Sequence, residues 1–542
     1  MKTKRTFLAA LTLMCAMTTT TVLTSCTNDD NPVTKPIEYG KVFNYTYGGQ
    51  TLYYVIDEAS QTATVESPLY PNFPTDEMKR IDGWQGYEQP KGKVTIPATV
   101  EYAGKHFPVT VLGIGAFSLC SDITSVELPE GITTIKAQVF DTCTGLTTIN
   151  LPNSLTSIEK WAFVDCKSLS AIELPETLTS IGPNCFNGDV SLTTVNIPSK
   201  IKTVSEAAFA NCISLTNVNL PEGLTAIEND AFSNCISLSV IEIPNTVTTI
   251  GDVAFYGDES LTTITIPGSV ETIGDFAFTN CTGLTTVELA EGLTTLGNSM
   301  FDGCSNLTTV NFPEGLTTIS YAAFHNCSSL TNITFPSTLT TIGDWAFQYA
   351  EKIGPDIVIP EGVTSIGHAA FGDCYSMESI TLPSTLQTVG DFALAACTKL
   401  DNVVFPDHLT SLGIQVLQDC TSLTTCHLPA QLESISDWFF WNSGITHVDI
   451  PEHVTRLGEG TFYQCLSLKE LTLPASVTEL ADSVFAKGTV LEKLNLAGTV
   501  PPSATETTFD TYTTAIIVPK GAGDAYRSHD IWGRFATITE EE

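Results

Sequence analysis

Apolar residues recur along this chain in a fixed order with polar or variable residues between them. One unit shows the pattern: Pro152, Leu155, Ile158, Ala162, Phe163, Cys166, Leu169, Ile172 and Leu174 are small or apolar. A phenylalanine returns every 23 residues at Phe117, Phe140, Phe163, Phe186, Phe209, Phe232, Phe255, Phe278, Phe301, Phe324 and Phe347. Phe371, Leu394, Leu417, Phe440, Phe462 and Phe485 follow at steps of 24, 23, 23, 23, 22 and 23, which makes 17 units. Within a unit, Leu169-Ser-Ala-Ile172-Glu-Leu174 ends in period-2 alternation and is stopped by Pro175, so it predicts a short strand with Ile172 and Leu174 inward. Leu155-Thr-Ser-Ile158 predicts a brief extended piece. Trp161-Ala-Phe163-Val-Asp-Cys166 places Phe and Cys three apart, as one α or 3₁₀ turn would need to point both inward.

A unit this short cannot bury its own apolar face, but stacked units share a continuous core. The predicted fold is a β-rich repeat solenoid of about 17 units on one long parallel sheet, spanning on the order of 80 Å at ~4.8 Å per strand. A parallel β-helix is the competing architecture, and the embedded helical turn argues against it. Residues 109–496 carry the repeat. Residues 39–108 differ, with Tyr45-Thr-Tyr47, Leu52-Tyr53-Tyr54-Val55-Ile56 and Thr62-Ala-Thr64-Val65 reading as hairpin strands of an N-terminal cap. Residues 497–542 break the period while supplying Tyr526, Trp532, Phe535 and Ile538 for a final apolar face, which reads as a C-terminal cap.

The unit resembles the BspA-like leucine-rich-repeat surface lipoproteins of Bacteroidetes type, whose repeat runs Leu-Pro, Leu-Thr-x-Ile-Gly, Ala-Phe-x-x-Cys, Leu-x-x-Val. Leu224-Thr-Ala-Ile227, Ala231-Phe232-Ser-Asn-Cys235 and Leu238-Ser-Val-Ile241-Glu-Ile243-Pro244 carry the likeness, which covers about residues 93–496. Leu394 and Leu417 in place of Phe, and an extra residue around Gly354-Pro355, depart from it. The resemblance implies a leucine-rich-repeat solenoid and an adhesin or recognition role toward host or bacterial surface proteins.

The formal net charge of −36 and pI near 4.3 disfavour nucleic acid and polybasic docking on anionic lipid. At the N-terminus, Lys2, Lys4 and Arg5 precede the apolar run from Phe7 to Met17 and then Leu23-Thr24-Ser25-Cys26, the layout of a secretory signal over residues 1–25. Leu-Thr-Ser-Cys resembles a bacterial lipobox, which implies cleavage before Cys26, its acylation, and anchoring by lipid without a transmembrane helix. Asn28, Asp29 and Asp30 resemble the acidic tags of outer-face lipoproteins, so an outer-membrane lipoprotein displayed on the cell surface is expected. Residues 26–38 then read as a tether.

Twelve of the 16 cysteines stand three residues after the repeat Phe or its substitute. Their contiguous runs of 3, 2, 3, 3 and 1 leave odd members, and Asp189, Asp258, Ala350 and Ser443 interrupt them. A disulfide framework would not tolerate that, so these cysteines read as buried thiols beside backbone carbonyls, and Cys185 and Cys426 read the same way. No GxSxG, HExxH, Walker A, dinucleotide fingerprint or CxxC occurs. No enzymatic activity and no cofactor are expected.

Binding is therefore sought on the outward strand positions. Glu127, Thr148, Asn150, Glu173, Asn196, Asn219, Glu242, Glu288 and Asn311 make a polar field without aromatic platforms, better suited to a protein or peptide than to sugar stacking. Glycan or nutrient capture, or a structural outer-membrane role, is the alternative. Near the C-terminal end the same register gives His427, His447, Asp449 and Glu470 on three successive strands. Imidazoles beside carboxylates can hold a divalent metal or titrate near neutrality; the other reading is a solvated face. Trp161, Phe276, Trp345 and Trp438 stand two before the repeat Phe, with Trp441 just after Phe440. They form either a contact stripe on another face or packing in the core and between coils.

Overall fold

The computed structural model describes residues 42–69, 82–289, 291–488 and 490–541. The segments expected to be a signal peptide and a tether, with Cys26, lie outside them. The 23-residue period is realised as the coils of a parallel solenoid of about 19 turns. In the strand containing the central Val or Ile, Ser125, Val126 and Glu127 pair with Thr148, Ile149 and Asn150. Thr194, Val195 and Asn196 pair in the same way with Asn217, Val218 and Asn219. The register advances by one repeat without stagger, so equivalent side chains stand above one another.

The brief extended piece is also a paired strand. Ile135, Ile158 and Ile181 are consecutive parallel partners, as are Val204, Ile227, Ile250 and Ile273. Instead of one long sheet, the coils thus share two ladders, each interrupted into sheets of a few strands. The sequence underplays the second ladder because only two residues per coil pair there, too few to show alternation.

The expected helical turn is absent. Phe140 N donates to Ala162 O of the next coil at 2.7 Å, Gln138 N to Lys160 O and Thr142 N to Val164 O, while Cys143 N closes a turn onto Phe140 O at 3.0 Å. An α turn would direct these N–H groups onto carbonyls of its own coil. Here every second one reaches the next coil, so the corner is a third set of intercoil bonds. Two left-handed residues per coil make this alternation, two before and two after the repeat Phe, as at Trp161 (φ 58°) and Asp165 (φ 58°). Phe163 and Cys166 still point inward, each fully buried. The turn-based argument against a β-helix-like path therefore fails, although the leucine-rich-repeat architecture stands.

The core is a column of stacked rings. From Phe117 to Phe371 each repeat phenylalanine stacks on the next, with centroids between 5.1 and 5.6 Å apart. Leu394 and Leu417 interrupt the column, and Phe440, Phe462, Phe485 and Phe509 resume it. Beside it, Cys143 Sγ donates to Phe117 O at 3.1 Å, Cys166 to Phe140 O at 3.2 Å, and Cys235 to Phe209 O at 3.2 Å. All 14 cysteines among the described residues are free and buried.

At the N-terminal end β1 (Phe43–Tyr47), β2 (Gln50–Asp57) and β3 (Thr62–Glu66) form an antiparallel meander. β3 then pairs in parallel with Lys105–Leu112, which joins Thr134–Ile135 of the second ladder. At the other end Lys493–Leu496, Ala515–Val518 and Thr537–Glu540 continue the first ladder. Tyr526, Trp532 and Phe535 are buried there, with Trp532 and Phe535 edge-on to Phe509 and Tyr526 edge-on to Trp532.

Candidate binding surfaces

Alternation along the first ladder sends the Val or Ile of each strand inward and its two neighbours out. Thr148, Asn150, Glu173, Asn196, Asn219, Glu242, Glu288 and Asn311 are exposed, as is Glu127. Several are tied along the stack. Asn150 exchanges two hydrogen bonds with the backbone of Leu128, Asn219 donates to Asn196, and Glu288 accepts from Thr265. Glu127 pairs with Lys93, which holds its carboxyl below the usual range.

The threonine abundance has a structural cause that the sequence reading missed. Thr156 Oγ1 donates to Thr133 O, Thr179 to Thr156 O, Thr225 to Lys202 O and Thr340 to Thr317 O, each bridging to the preceding coil. A second such row runs through Thr147, Thr216, Thr285 and Thr308. Period-23 threonine beside a strand was the available signal.

The four residues of the histidine and acid group do not converge. His447 stands opposite Thr425 in the parallel register, two positions from His427. His427 Nε2 instead meets Asp407 Oδ1 at 2.8 Å, a carboxylate outside the group, and this contact holds the Asp407 carboxyl below its ordinary value. His447 lies 3.3 Å from Asp449, and Glu470 is engaged by Lys493 and Asn495. Among the described residues no three His, Cys, Asp or Glu are grouped to hold a metal ion.

The large aromatics two before the repeat Phe stand at left-handed backbone positions: Phe276 (φ 59°), Trp345 (φ 55°), Phe392 (φ 57°) and Trp438 (φ 59°). They are not core residues. Phe276 is 43% exposed, and Trp161, Trp345, Phe392, Trp438 and Trp441 are partly exposed. Trp345 packs edge-to-face between Tyr321 and His368, with centroids at 4.8 and 5.5 Å, and His368 meets Phe392 at 5.4 Å. Trp438, Trp441 and Tyr463 form a second group. The rings thus pack between coils while keeping a solvent face. Sequence reasoning placed Trp345 and missed Tyr321 and His368, which sit one residue earlier in alternate coils.

Where aspartate replaces the core cysteine, the carboxyl is sealed inside. Asp189 Oδ1 accepts Cys166 N at 2.8 Å and Asp258 Oδ1 accepts Cys235 N at 2.8 Å. Both are fully buried, and the second oxygen of each lacks a hydrogen-bond partner among the described residues. Burial pushes both carboxyls well above the ordinary aspartate value.

A sequence profile described as "BspA type Leucine rich repeat region" matches residues 110–239, 225–354, 355–466 and 396–513. Among solved structures, a leucine-rich repeat protein from Bacteroides ovatus is 24% identical over 75% of this chain and 100% of its own, with a TM-score of 0.52. A leucine rich cell surface protein from Faecalibacterium prausnitzii is 23% identical over 86% of this chain and 96% of its own, with a TM-score of 0.35. No curated protein matches the chain. The Bacteroides ovatus likeness speaks for the fold alone.

Proposed function

The chain belongs to the BspA-type leucine-rich-repeat family, and from that premise we propose that it is a surface-displayed lipoprotein that recognises macromolecules through its repeat faces, without catalysis. The observation that carries this reading is the contrast between the two sides of one strand. The inward position stays Ile149, Val195, Val218, Ile241, Val287 and Val310, fully or nearly buried. The outward position beside it changes from Asn150 and Glu173 to Thr265, Val358, His427 and Asp449 along the stack. A constant interior with a varied, closely spaced exterior supports recognition over an extended surface, as repeat scaffolds provide.

Adhesin-like protein recognition is favoured over glycan capture on this face because its outward positions carry amides, hydroxyls, carboxylates and the exposed aliphatic groups of Val240, Val358 and Val404, without Phe, Tyr or Trp platforms. Acylation at Cys26 would hold the chain at the outer membrane, and the Asp29-Asp30 pair just after it supports display on the outer face.

The test has two parts. Metabolic labelling with an alkyne palmitate should tag the wild-type chain and not Cys26→Ala, and protease added to intact cells should remove the protein. The soluble chain should capture a surface protein in a pull-down. A glycan-array signal with no protein captured would replace the adhesin reading by glycan capture, and an unlabelled, protease-resistant chain would overturn surface display.

A further inference from the structure

Left-handed backbone is disfavoured for bulky residues by about 1–2 kcal/mol, and Gly or Asn relieves most of that strain. The corner two residues after the repeat Phe follows this rule in most coils, as at Asp165, Gly188, Asn211, Asn234, Asn280 and Asn326, with Leu119, Thr142 and Tyr349 as bulky exceptions at positive φ. The equivalent corner two residues before it departs from the rule at Trp161, Val253, Phe276 and Trp438 and also at Trp345 and Phe392, which share one column of rings. Their partners are arranged to suit them. In the alternate coils the left-handed residue is small, Ala322 and Ala369, and the residue before it is the ring of Tyr321 or His368. In the coils that carry Trp345 and Phe392, the preceding residue is Asp344 or Asp391. Ring and carboxylate therefore alternate in one column across four coils. Asp344 Oδ1 accepts His368 N and Asp391 Oδ1 accepts Ile414 N, which fixes each carboxylate beside its ring.

The same column shows what such a pair takes. Lys160 Nζ lies over the Trp161 ring at 4.7 Å. Asp437, the carboxylate before Trp438, receives the guanidinium of Arg456 at 3.3 Å. These pairs are served by the chain's own cations. Among the described residues the pairs at Asp344 and Asp391 have no such cation, and between Lys202 and Lys399 the sequence holds 21 Asp and Glu against the single Lys352. Cations over aromatic faces gain about 0.5–2 kcal/mol each, and the surrounding field adds attraction at low salt.

We infer that the Tyr321, Trp345, His368 and Phe392 column is a docking track for an arginine-rich peptide segment of a partner protein. Trp345 and Phe392 are two coils apart, about 9.6 Å at the strand spacing. A polyproline II segment advances about 9.3 Å in three residues. One arginine every third residue thus meets successive ring and carboxylate pairs. This rests on the reading of the chain as a recognition scaffold and names the partner chemistry of one face.

The test uses the whole soluble chain and a fluorescent peptide of repeated Arg-Pro-Pro, with a Gln-Pro-Pro peptide as control. The expected results are binding of the arginine peptide alone, weakening as salt is raised from about 0.05 to 0.5 M, and at least tenfold weaker binding by Trp345→Asn with Phe392→Asn. Asn relieves the left-handed strain but removes the packing on Tyr321 and His368, so the double variant should stay folded and melt close to wild type. A melting temperature lowered enough to unfold the middle coils would make the rings structural and overturn the inference. So would binding that survives the double variant, no binding of the arginine peptide, or equal binding of the Gln peptide. If a partner captured from cells binds the double variant undiminished and is lost in Asn219→Ala with Glu288→Gln, the scaffold reading stands and the track fails. If no partner is captured, the scaffold reading itself fails.

Discussion

Restoring the repeat cysteine at Asp189 and Asp258 should stabilise the middle coils, increasingly so as pH rises. Each carboxyl is sealed in the core, with one oxygen serving a backbone N–H and the other lacking a partner among the described residues. An orphaned buried oxygen is destabilising by about 1–3 kcal/mol whatever its protonation. Ionisation adds a pH-dependent part whose sign follows from the direction of the shift. The folded carboxyls titrate well above the ordinary value because burial penalises the charge. Their contribution is therefore intact below the unfolded value of about 3.9, and it declines as pH rises until the folded groups ionise. Within that window the slope is about 1.4 kcal/mol per pH unit per site. Asp189→Cys with Asp258→Cys removes both parts, since the buried thiols of this column also titrate far above neutrality. A thiol at either site would have Phe163 O or Phe232 O in the place that Phe140 O holds for Cys166. Hydrogen exchange of peptides covering the two coils, at pH 5 and 6 and corrected for intrinsic rates, should show wild-type protection falling by about 1.4 kcal/mol per site relative to the variant. Parallel pH dependences in the two proteins would refute the buried, protonated state.

Three further outcomes follow from the packing. Phe232→Ala opens a cavity in the middle of the ring column and should cost about 3–5 kcal/mol, whereas Leu394→Phe should be tolerated or stabilising by continuing the column; thermal melts distinguish them. Asn234→Val places a β-branched residue at φ 58° and should lower stability by about 1–2 kcal/mol, while Asn234→Gly stays within a few tenths; chemical denaturation reads the difference. Zinc titrated calorimetrically should give no heat that His427→Ala with His447→Ala abolishes, because His427 is turned to Asp407 and His447 to Asp449.

The ring column, the inward Val and Ile, and the thiols beside the carbonyls were all legible from period and residue type, since burial of one repeating face dictates them. The corner was not. Phe and Cys three apart satisfy a helical turn and the observed left-handed corner equally well, because both point the pair inward. The discriminating signal lies beside the cysteine, where Gly188, Asn211, Asn234, Gly257, Asn280 and Asn326 recur two after the Phe: Gly and Asn at one register mark positive φ, not a helix. Likewise, the His427, His447, Asp449 and Glu470 group came from counting strand positions, which fixes the face of a side chain but not its partner. Asp407 and Lys493 decided where those groups turned, and both come from neighbouring coils.

A repeat protein supplies its own control for separating architecture from function. Each corner position is sampled once per coil, so what the backbone needs is visible as what predominates: Gly, Asn and Asp after the Phe, with exceptions such as Leu119 and Tyr349, and small or polar residues before it, with Trp161, Val253, Phe276 and Trp438 departing alongside Trp345 and Phe392. Residues that depart from this in a costly direction need another cause. Asp189 and Asp258 depart inside the core, where no partner can reach them, and their effect is confined to stability and pH. Trp345 and Phe392 depart at the surface, carry strain that Asn would relieve, and face solvent beside carboxylates. Sequences specify folds by agreement between local and global preferences, and function concentrates where that agreement is broken. By that criterion recognition is expected at the irregular aromatic corner as well as on the polar strand face, some of whose amides are committed to bonds along the stack.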